Sequence, residues 1–488
     1  MTWRLEYIPE PKLEFGSEER EVDIRLGLTK HGPLDGHQLS APKSINVGIV
    51  GTAETVEGVA RWLERCQHEI LGKASRQPHL FPAFPGYRNA FGGVLNLDAR
   101  LQRTLPGAVL DKVIAEHPAA SRALVSATVD LFLTEIESMD QPVPQVIICA
   151  VPWKILKSTE GMPGENGEDE AEEAEEEAEA GMGRWDFHDL LKARALQARR
   201  TIQLVLPSTY DERERQPIKT RSDRFRDTQD EATRAWNFLT ALYYKAGGSP
   251  WRLVRDPREL TTCYIGISFF RSLDGQDIYT STAQVFNERG DGIIVRGGAA
   301  RYYQEDRQVH LGSEAAAELM QRALERYRRE HRTPPARVVA YKTSSFNDAE
   351  LEGFRSATDR ERISSTELIS LRRSDIQFFR DGAYPTLRGT CLHLSNKTTV
   401  MYTRGSVPFF ETYPGMYVPQ ALACDFKHTE RSAAVLATEI LALTKMNWNN
   451  TQFDGAYPIC IRAAKQVGKI LRYIDTDREV EQRYSYYM

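Results

Sequence analysis

The stretch KSINVGIVGTAETVEGVARWLERCQHEI (43–70) leaves its part of the chain few choices. Apolar residues over 45–50 read as a buried strand and a glycine turn follows. The next residues set Val56, Val59, Ala60 and Leu63 on one face of an amphipathic helix. A helical run from about 120 to 138 then leads to a second buried strand in QVIICAVPW (145–153). Strand, helix, helix, strand is the pattern of a doubly wound α/β layer. The turn itself, GIVG at 48–51, offers a helix N-terminus to a phosphate. It lacks the GxGxxG spacing and a clean acidic residue on the next strand, so it is read as a plain link between strand and helix.

A second pattern begins near residue 258. TTCYIGISFFRS alternates as a strand, and IYTSTAQVFNERGDGIIVRGG predicts a hairpin with its turn at Gly290–Asp291–Gly292. A helix over 313–331, a strand in RVVAYKTSS and a helix from Asn347–Asp348 follow. Strands in IQFF, GTCLHLS and TVMYTRG come next, with helices at about 431–445 and 458–471. A mixed sheet flanked by helices and opened by an antiparallel hairpin predicts an RNase H-like domain. The fold class is therefore α/β, a Rossmann-like domain followed by an RNase H-like one. Residues 1–40, rich in Pro and Gly, show short strands and turns without helical period.

Charge is distributed unevenly. The net charge is -5 and the pI about 6.1, so any nucleic-acid surface must be a local patch. GENGEDEAEEAEEEAEAG (164–181) holds ten carboxylates, which repel and read as a solvated loop or frayed helix. A second reading has it imitate a nucleic acid and shield the basic stretch beside it. Residues 183–226 carry eleven Lys or Arg against six Asp or Glu. Within them, WDFHDLLKARALQARRTIQLV (185–205) sets His188, Lys192, Arg194, Arg199 and Arg200 on an expected helix that ends at Gln203. His188 and Lys192 stand four apart, on one helix face. Lys245 closes a further helix, 231–248, before Gly247–Gly248 and Pro250. Imidazole, two ammoniums and an amide are donors suited to a phosphomonoester.

Six cysteines are scattered singly without metal-finger spacing, which predicts reduced thiols in a cytoplasmic protein. No apolar core of a signal peptide and no membrane-length apolar run is expected.

HDLLK (188–192), Gln203 and YYKAGGSPWRL (243–253) together closely resemble the guide-binding motif of prokaryotic Argonautes. In that family a His or Tyr, a Lys, a Gln and a second Lys hold the 5′ phosphate of the guide. CYIGISFF (263–270), VFNERGDG (285–292), VVAYKTSSFN (338–347) and ILALTKMNWNNTQFDGAYPICIRAAKQVGKIL (440–471) resemble landmarks of its PIWI domain. YIPEPKLEF (7–15) and GLTKHGPLDG (27–36) look like the start of short Argonautes, which keep only MID and PIWI domains. The acidic insert 164–181 is not part of the family pattern.

The resemblance implies 1–40 as an N-terminal segment packed on the core, a MID domain over 41–255 and a PIWI domain over 256–488. It implies a guide 5′-phosphate site made of His188, Lys192, Gln203 and Lys245. A Mg2+ is expected to bridge that phosphate to the carboxylate of Met488. Slicing Argonautes hold two metal ions with carboxylates where this chain has Ser268, Thr343 (beside Lys342) and Lys465. Ser, Thr and Lys cannot hold a hard cation pair, so a PIWI domain that binds without cutting is expected, and no enzyme.

The implied partners are a guide RNA, a complementary single-stranded DNA and a separately encoded effector subunit with a TIR or sirtuin-like NAD-consuming domain. Such a system would act in prokaryotic immunity against plasmids and phage, away from membranes. The alternatives are an active guided nuclease using Asp291, Asp348 or Asp454, a nucleotide-dependent α/β enzyme using the GIVG turn, and a scaffold whose basic helix docks on a partner.

Overall fold

The structure is a computed structural model of the 488-residue chain. It describes every residue except 1–2, 160–184, 215, 218–224, 227, 255–257, 286–291, 383, 416–417, 453–454, 476–477 and 479–480. The acidic insert, the tip of the expected hairpin, and Asp291 and Asp454 lie outside the described residues.

The chain opens with strand β1 (Arg4–Tyr7) and helix α1 (Ile24–His31). Helix α1 corrects the expectation of strands and turns alone over 1–40. Asp23 caps it by accepting from the Leu26 amide, and Gly27 lets the Phe15 ring lie against the helix backbone where a Cβ would clash. Two-residue strands at 13–14, 20–21 and 252–253 form a small antiparallel sheet that ties this segment to the middle of the chain.

The first large layer follows in chain order. Strand β2 (Ser44–Gly51) runs into helix α2 (Ala53–Arg65), then β3 (Val94–Asn96) and β4 (Gln102–Thr104). Helix α3 (Arg122–Glu137), β5 (Val146–Ala150), α4 (Phe187–Gln197), β6 (Ile202–Val205) and α5 (Glu231–Lys245) complete it. The order is β3-β2-β5-β6, with β4 also pairing β2, and all pairs are parallel. Strand β5 is buried over its full length, as expected of a parallel strand covered on both faces. The GIVG turn is built for packing. A Cβ on Gly51 would collide with Thr55 and the Ala150 carbonyl, and the α2 N-terminus is capped by Thr52.

The basic helix is shorter than read from sequence. It ends at Gln197, Arg199 adopts a left-handed conformation with φ 53°, and Gln203 sits on β6 instead of closing the helix.

The second layer contains β7 (Thr262–Arg271), β8 (Ile278–Val285), β9 (Gly292–Tyr303), β10 (Gln308–His310), α6 (Ser313–His331) and β11 (Arg337–Lys342). It continues with α7 (Asp348–Arg360), β12 (Ser365–Ser374), β13 (Thr390–His393), β14 (Thr398–Met401), β15 (Ala421–His428), α8 (Ala433–Leu443) and α9 (Ile459–Leu471). Its ten-stranded sheet runs β1-β13-β14-β15-β12-β11-β7-β8-β9-β10. Pairs β7–β11 and β11–β12 are parallel and the rest antiparallel, which is the mixed sheet of an RNase H-like domain. IQFF forms no strand, while β12 and β15, unforeseen in the sequence, lie at the centre.

The N-terminal strand belongs to this second sheet. Arg4 pairs with His393 and Tyr7 with Thr390. Behind it, Glu10 bonds the Arg388 guanidinium at 2.9 Å and lies 3.3 Å from Lys445, so three buried charges clamp the segment in place. No helix among the described residues is long and apolar enough to cross a membrane.

Candidate functional site

Helix α4 starts where Asp186 accepts from the Asp189 amide at 3.0 Å. That cap fixes the helix phase and turns Lys192 inward until only 4% of it is exposed. Its Nζ donates to the Tyr487 carbonyl at 3.3 Å. Tyr487 is held by its own hydroxyl, which donates to the Glu481 carbonyl at 2.7 Å, and Met488 beside it is buried. Lys245, the last residue of α5, is 5% exposed, and its Nζ donates to Oε1 of Gln203 on β6. Helix α4, strand β6, helix α5 and the chain's last residues thus meet at one place. Among the described residues, neither Lys192 nor Lys245 forms an ion pair with a carboxylate.

The electrostatics follow from that isolation. Burial pulls the Lys192 ammonium down to about 8, opposed by Asp189 and Cys149. Burial and then the Lys192 charge push Lys245 well below its ordinary value. His188 is lowered by burial and then by Lys192, against its 2.9 Å hydrogen bond with Asp189. In Asp189 burial works upward, but His188, Lys469 and Lys192 outweigh it and hold the carboxyl below its usual range.

Two buried ammoniums, the Lys192 charge eased in part by Asp189, together with a neutral amide and an imidazole make a cationic focus. Isolated buried charge is costly, and an anion with several acceptor oxygens relieves it. Of the four residues singled out from the sequence, Lys245 and Gln203 touch. Lys192 depresses the titration of both Lys245 and His188. Sequence reading missed the third side of the site, the Tyr487 carbonyl. The resemblance had already put the Met488 carboxylate beside the phosphate, and the apolar Tyr484–Met488 ending hinted that this stretch would pack.

A divalent cation beside such an anion would need oxygen ligands. Asp186, His188 and Asp189 place one ligand atom each within 4.8 Å of one another. Two carboxylates and an imidazole fit part of a coordination shell. The remaining positions would have to come from phosphate oxygens and water.

The second region lies in the ten-stranded sheet. Ile267 on β7 pairs with Lys342, the last residue of β11, so Ser268 points to the opposite face and Thr343 lies in the bend just past the strand's end. Helix α9 lies on that face: a Cβ on Gly266 would fall inside the Cys460 carbonyl. Lys465 sits on this helix with its Nζ 5.0 Å from the centre of the Tyr457 ring. Asp348 is exposed at the first turn of α7.

On the other face Lys342 is buried, 2.6 Å from Glu350, which also accepts from the Leu311 amide at 2.9 Å. His310 bridges Glu350 at 3.1 Å and Asp306 at 2.6 Å. This cluster was not anticipated either.

A mixed α/β chain ending in an RNase H-like domain, with a cationic focus where the parallel layer meets the chain's last residues, defines the architecture. The fold is Argonaute-like, with the MID and PIWI arrangement of that fold. Clostridium butyricum Argonaute bound to a guide DNA and a 19-mer target DNA aligns over 97% of this chain and 53% of its own, with a TM-score of 0.63 and 14% identity. Drosophila Piwi aligns over 99% of this chain and 56% of its own, with a TM-score of 0.60 and 12% identity. A. aeolicus Argonaute aligns over 99% and 55%, with a TM-score of 0.57 and 12% identity. The chain therefore spans just over half the length of these structures. No protein-family model matches the sequence, and no curated protein does.

Proposed function

We propose that this chain is a guide-binding, non-cleaving protein of the short Argonaute kind, with a MID domain over 41–255 and a PIWI domain over 256–488. One observation carries the reading. On an Argonaute-like fold, Lys192 and Lys245 are buried together, and among the described residues neither forms an ion pair with a carboxylate. The 5′ phosphate of a guide RNA supplies the missing charge. Lys192 and Lys245 bind its oxygens, Gln203 orients Lys245 and offers its own amide, and His188, held at Nδ1 by Asp189, donates from Nε2 once the phosphate's charge has protonated the ring. A Mg2+ held by the Met488 carboxylate would neutralise further phosphate charge. Base pairing then reads a complementary single-stranded DNA while protein contacts grip the backbone.

Ser268, Thr343 and Lys465 offer no carboxylate for a metal pair, which supports recognition without cleavage. Recognition alone calls for an effector, and we assign that role to a separately encoded TIR or sirtuin-like subunit acting in defence against plasmids and phage.

The test compares guide-length RNA bearing a 5′ phosphate with the same RNA bearing a 5′ hydroxyl, at fixed near-physiological salt. Each charge-assisted hydrogen bond should contribute roughly 1.5–3 kcal/mol. The wild type should prefer the phosphate tenfold or more, and Lys192→Ala/Lys245→Ala should abolish the preference. Equal binding of both ends by the wild type would sink the site.

A further inference from the structure

Strand β1 is the outer strand of the ten-stranded sheet and, among the described residues, has no neighbour beyond it. Its inner side is fixed. The Ile8 amide donates to the Gly389 carbonyl at 2.9 Å, and the register steps back through Glu6–Cys391 and Arg4–His393. In an antiparallel ladder, alternate residues exchange hydrogen bonds with the same neighbour. Residues 4, 6 and 8 are therefore committed inward. The amides and carbonyls of Leu5 and Tyr7 point away from the sheet, and Trp3 stands just before the strand.

The side chains of Leu5 and Tyr7 share one face and stand in solvent, as does that of Trp3. Trp3 and Leu5 are each 69% exposed and Tyr7 is 41% exposed. A bare edge with an apolar stripe is a template for another strand. Natural edges are usually blunted by inward charges, bulges or proline. This one carries only Arg4 and Glu6, both on the opposite face, where they bond each other at 2.6 Å.

We propose that two copies of this chain join their β1 strands antiparallel about a two-fold axis at Leu5. The sequence Trp3-Arg4-Leu5-Glu6-Tyr7 is complementary to itself in that one register. Leu5 meets Leu5 of the second copy, Trp3 meets Tyr7, and Arg4 meets Glu6. The outward residues 3, 5 and 7 then fall in the hydrogen-bonded positions, each pair exchanging both of its N–H···O bonds. The charged residues fall in the closer positions, where opposite charges attract and like charges repel. An interface that uses the same patch on both partners closes as a dimer and leaves no edge to propagate. The two ten-stranded sheets become one continuous sheet.

The measurement is sedimentation velocity of the full chain across a concentration series, with three variants. Leu5→Pro removes an outward amide and leaves the inward ladder whole, because proline is tolerated where the N–H would face solvent. Arg4→Glu sets Glu against Glu6 of the second copy. Arg4→Glu/Glu6→Arg restores opposite charges.

The wild type should show a concentration-dependent dimer that Leu5→Pro and Arg4→Glu weaken at least tenfold and that the exchange recovers. Thermal melting and guide binding should be unchanged in Leu5→Pro, separating this surface from the phosphate site. A wild type that stays monomeric throughout, or a dimer indifferent to Leu5→Pro, would overturn the proposal. So would a charge exchange that fails to recover what Arg4→Glu loses.

Discussion

The Nζ of Lys245 donates to the side-chain amide of Gln203, so among the described residues the only hydrogen-bond partner of this buried ammonium is a neutral oxygen. That choice of amide over carboxylate keeps the site electropositive. Changing Gln203→Glu would give Lys245 an internal counter-ion at the same place. The proton affinity of Lys245 should rise, and 5′-phosphorylated RNA should bind at least tenfold more weakly while 5′-hydroxyl RNA is little affected. Titrations of both RNAs against the variant check this, and unchanged phosphate affinity would count against the anion site.

Phosphate binding should depend on pH in a stated direction. Lys192 in the free protein titrates near 8, far below the ordinary 10.5, and Lys245 is depressed as well. A bound phosphate needs both ammoniums, and its own second ionisation lies near about 6. Affinity should therefore be greatest between about pH 6 and 8 and fall as pH rises through the Lys192 titration. The stability of the ligand-free protein should move the other way. Between about 8 and 10.5 the unfolded chain keeps a proton that folded Lys192 has lost, so stability rises with pH there. Parallel binding and unfolding titrations would show the opposed slopes, and a flat binding profile through pH 9 would contradict them.

The guide-loaded chain should leave a complementary DNA strand intact in Mg2+ or Mn2+. Ser268 on β7, Thr343 just past the end of β11 and Lys465 on helix α9 offer no carboxylate to hold two ions. The readout is a labelled target on a denaturing gel. Cutting that disappears on chelation would restore the guided-nuclease alternative.

Glu350 should matter to stability more than its place on a helix suggests. It accepts from Lys342, from the Leu311 amide and from the Asn347 amide, and it touches His310. Glu350→Ala would leave Lys342 buried without a counter-charge, at a cost of roughly 3–5 kcal/mol. Lys342→Met/Glu350→Leu should recover part of this, since the pair leaves together but the two amides stay unpaired. Denaturant unfolding of the three proteins decides it.

The strand and helix at 44–65 were legible to within a residue or two because one face of each carries only apolar residues. Strand β12 was not, and the reason is chemical. Glu367 lies inside it, fully buried against Arg337 at 2.5 Å, so a charge interrupts the apolar pattern that marks a central strand. Strand β15 hides in the same way behind Asp425, which holds Arg372 of the neighbouring strand. Helix α1 was missed because it is short and carries Gly27, a residue that is there for the Phe15 ring. For the cationic focus, the spacing of His188 and Lys192 was readable from helix geometry. That Lys245 would reach Gln203, and Lys192 the Tyr487 carbonyl, depends on contacts 42 and 295 residues apart.

The place of β1 in the second sheet has a consequence for synthesis. Its neighbour, residues 390–393, is made almost four hundred residues later. At ribosomal speeds of about 5–20 residues per second, Trp3, Leu5 and Tyr7 wait roughly 20–80 seconds for their inner strand to emerge. Throughout that interval strand β1 exposes the apolar side chains of Leu5 and Tyr7 with both of its edges open. On a polysome crowded with nascent copies, its earliest available match is the same strand on the next chain.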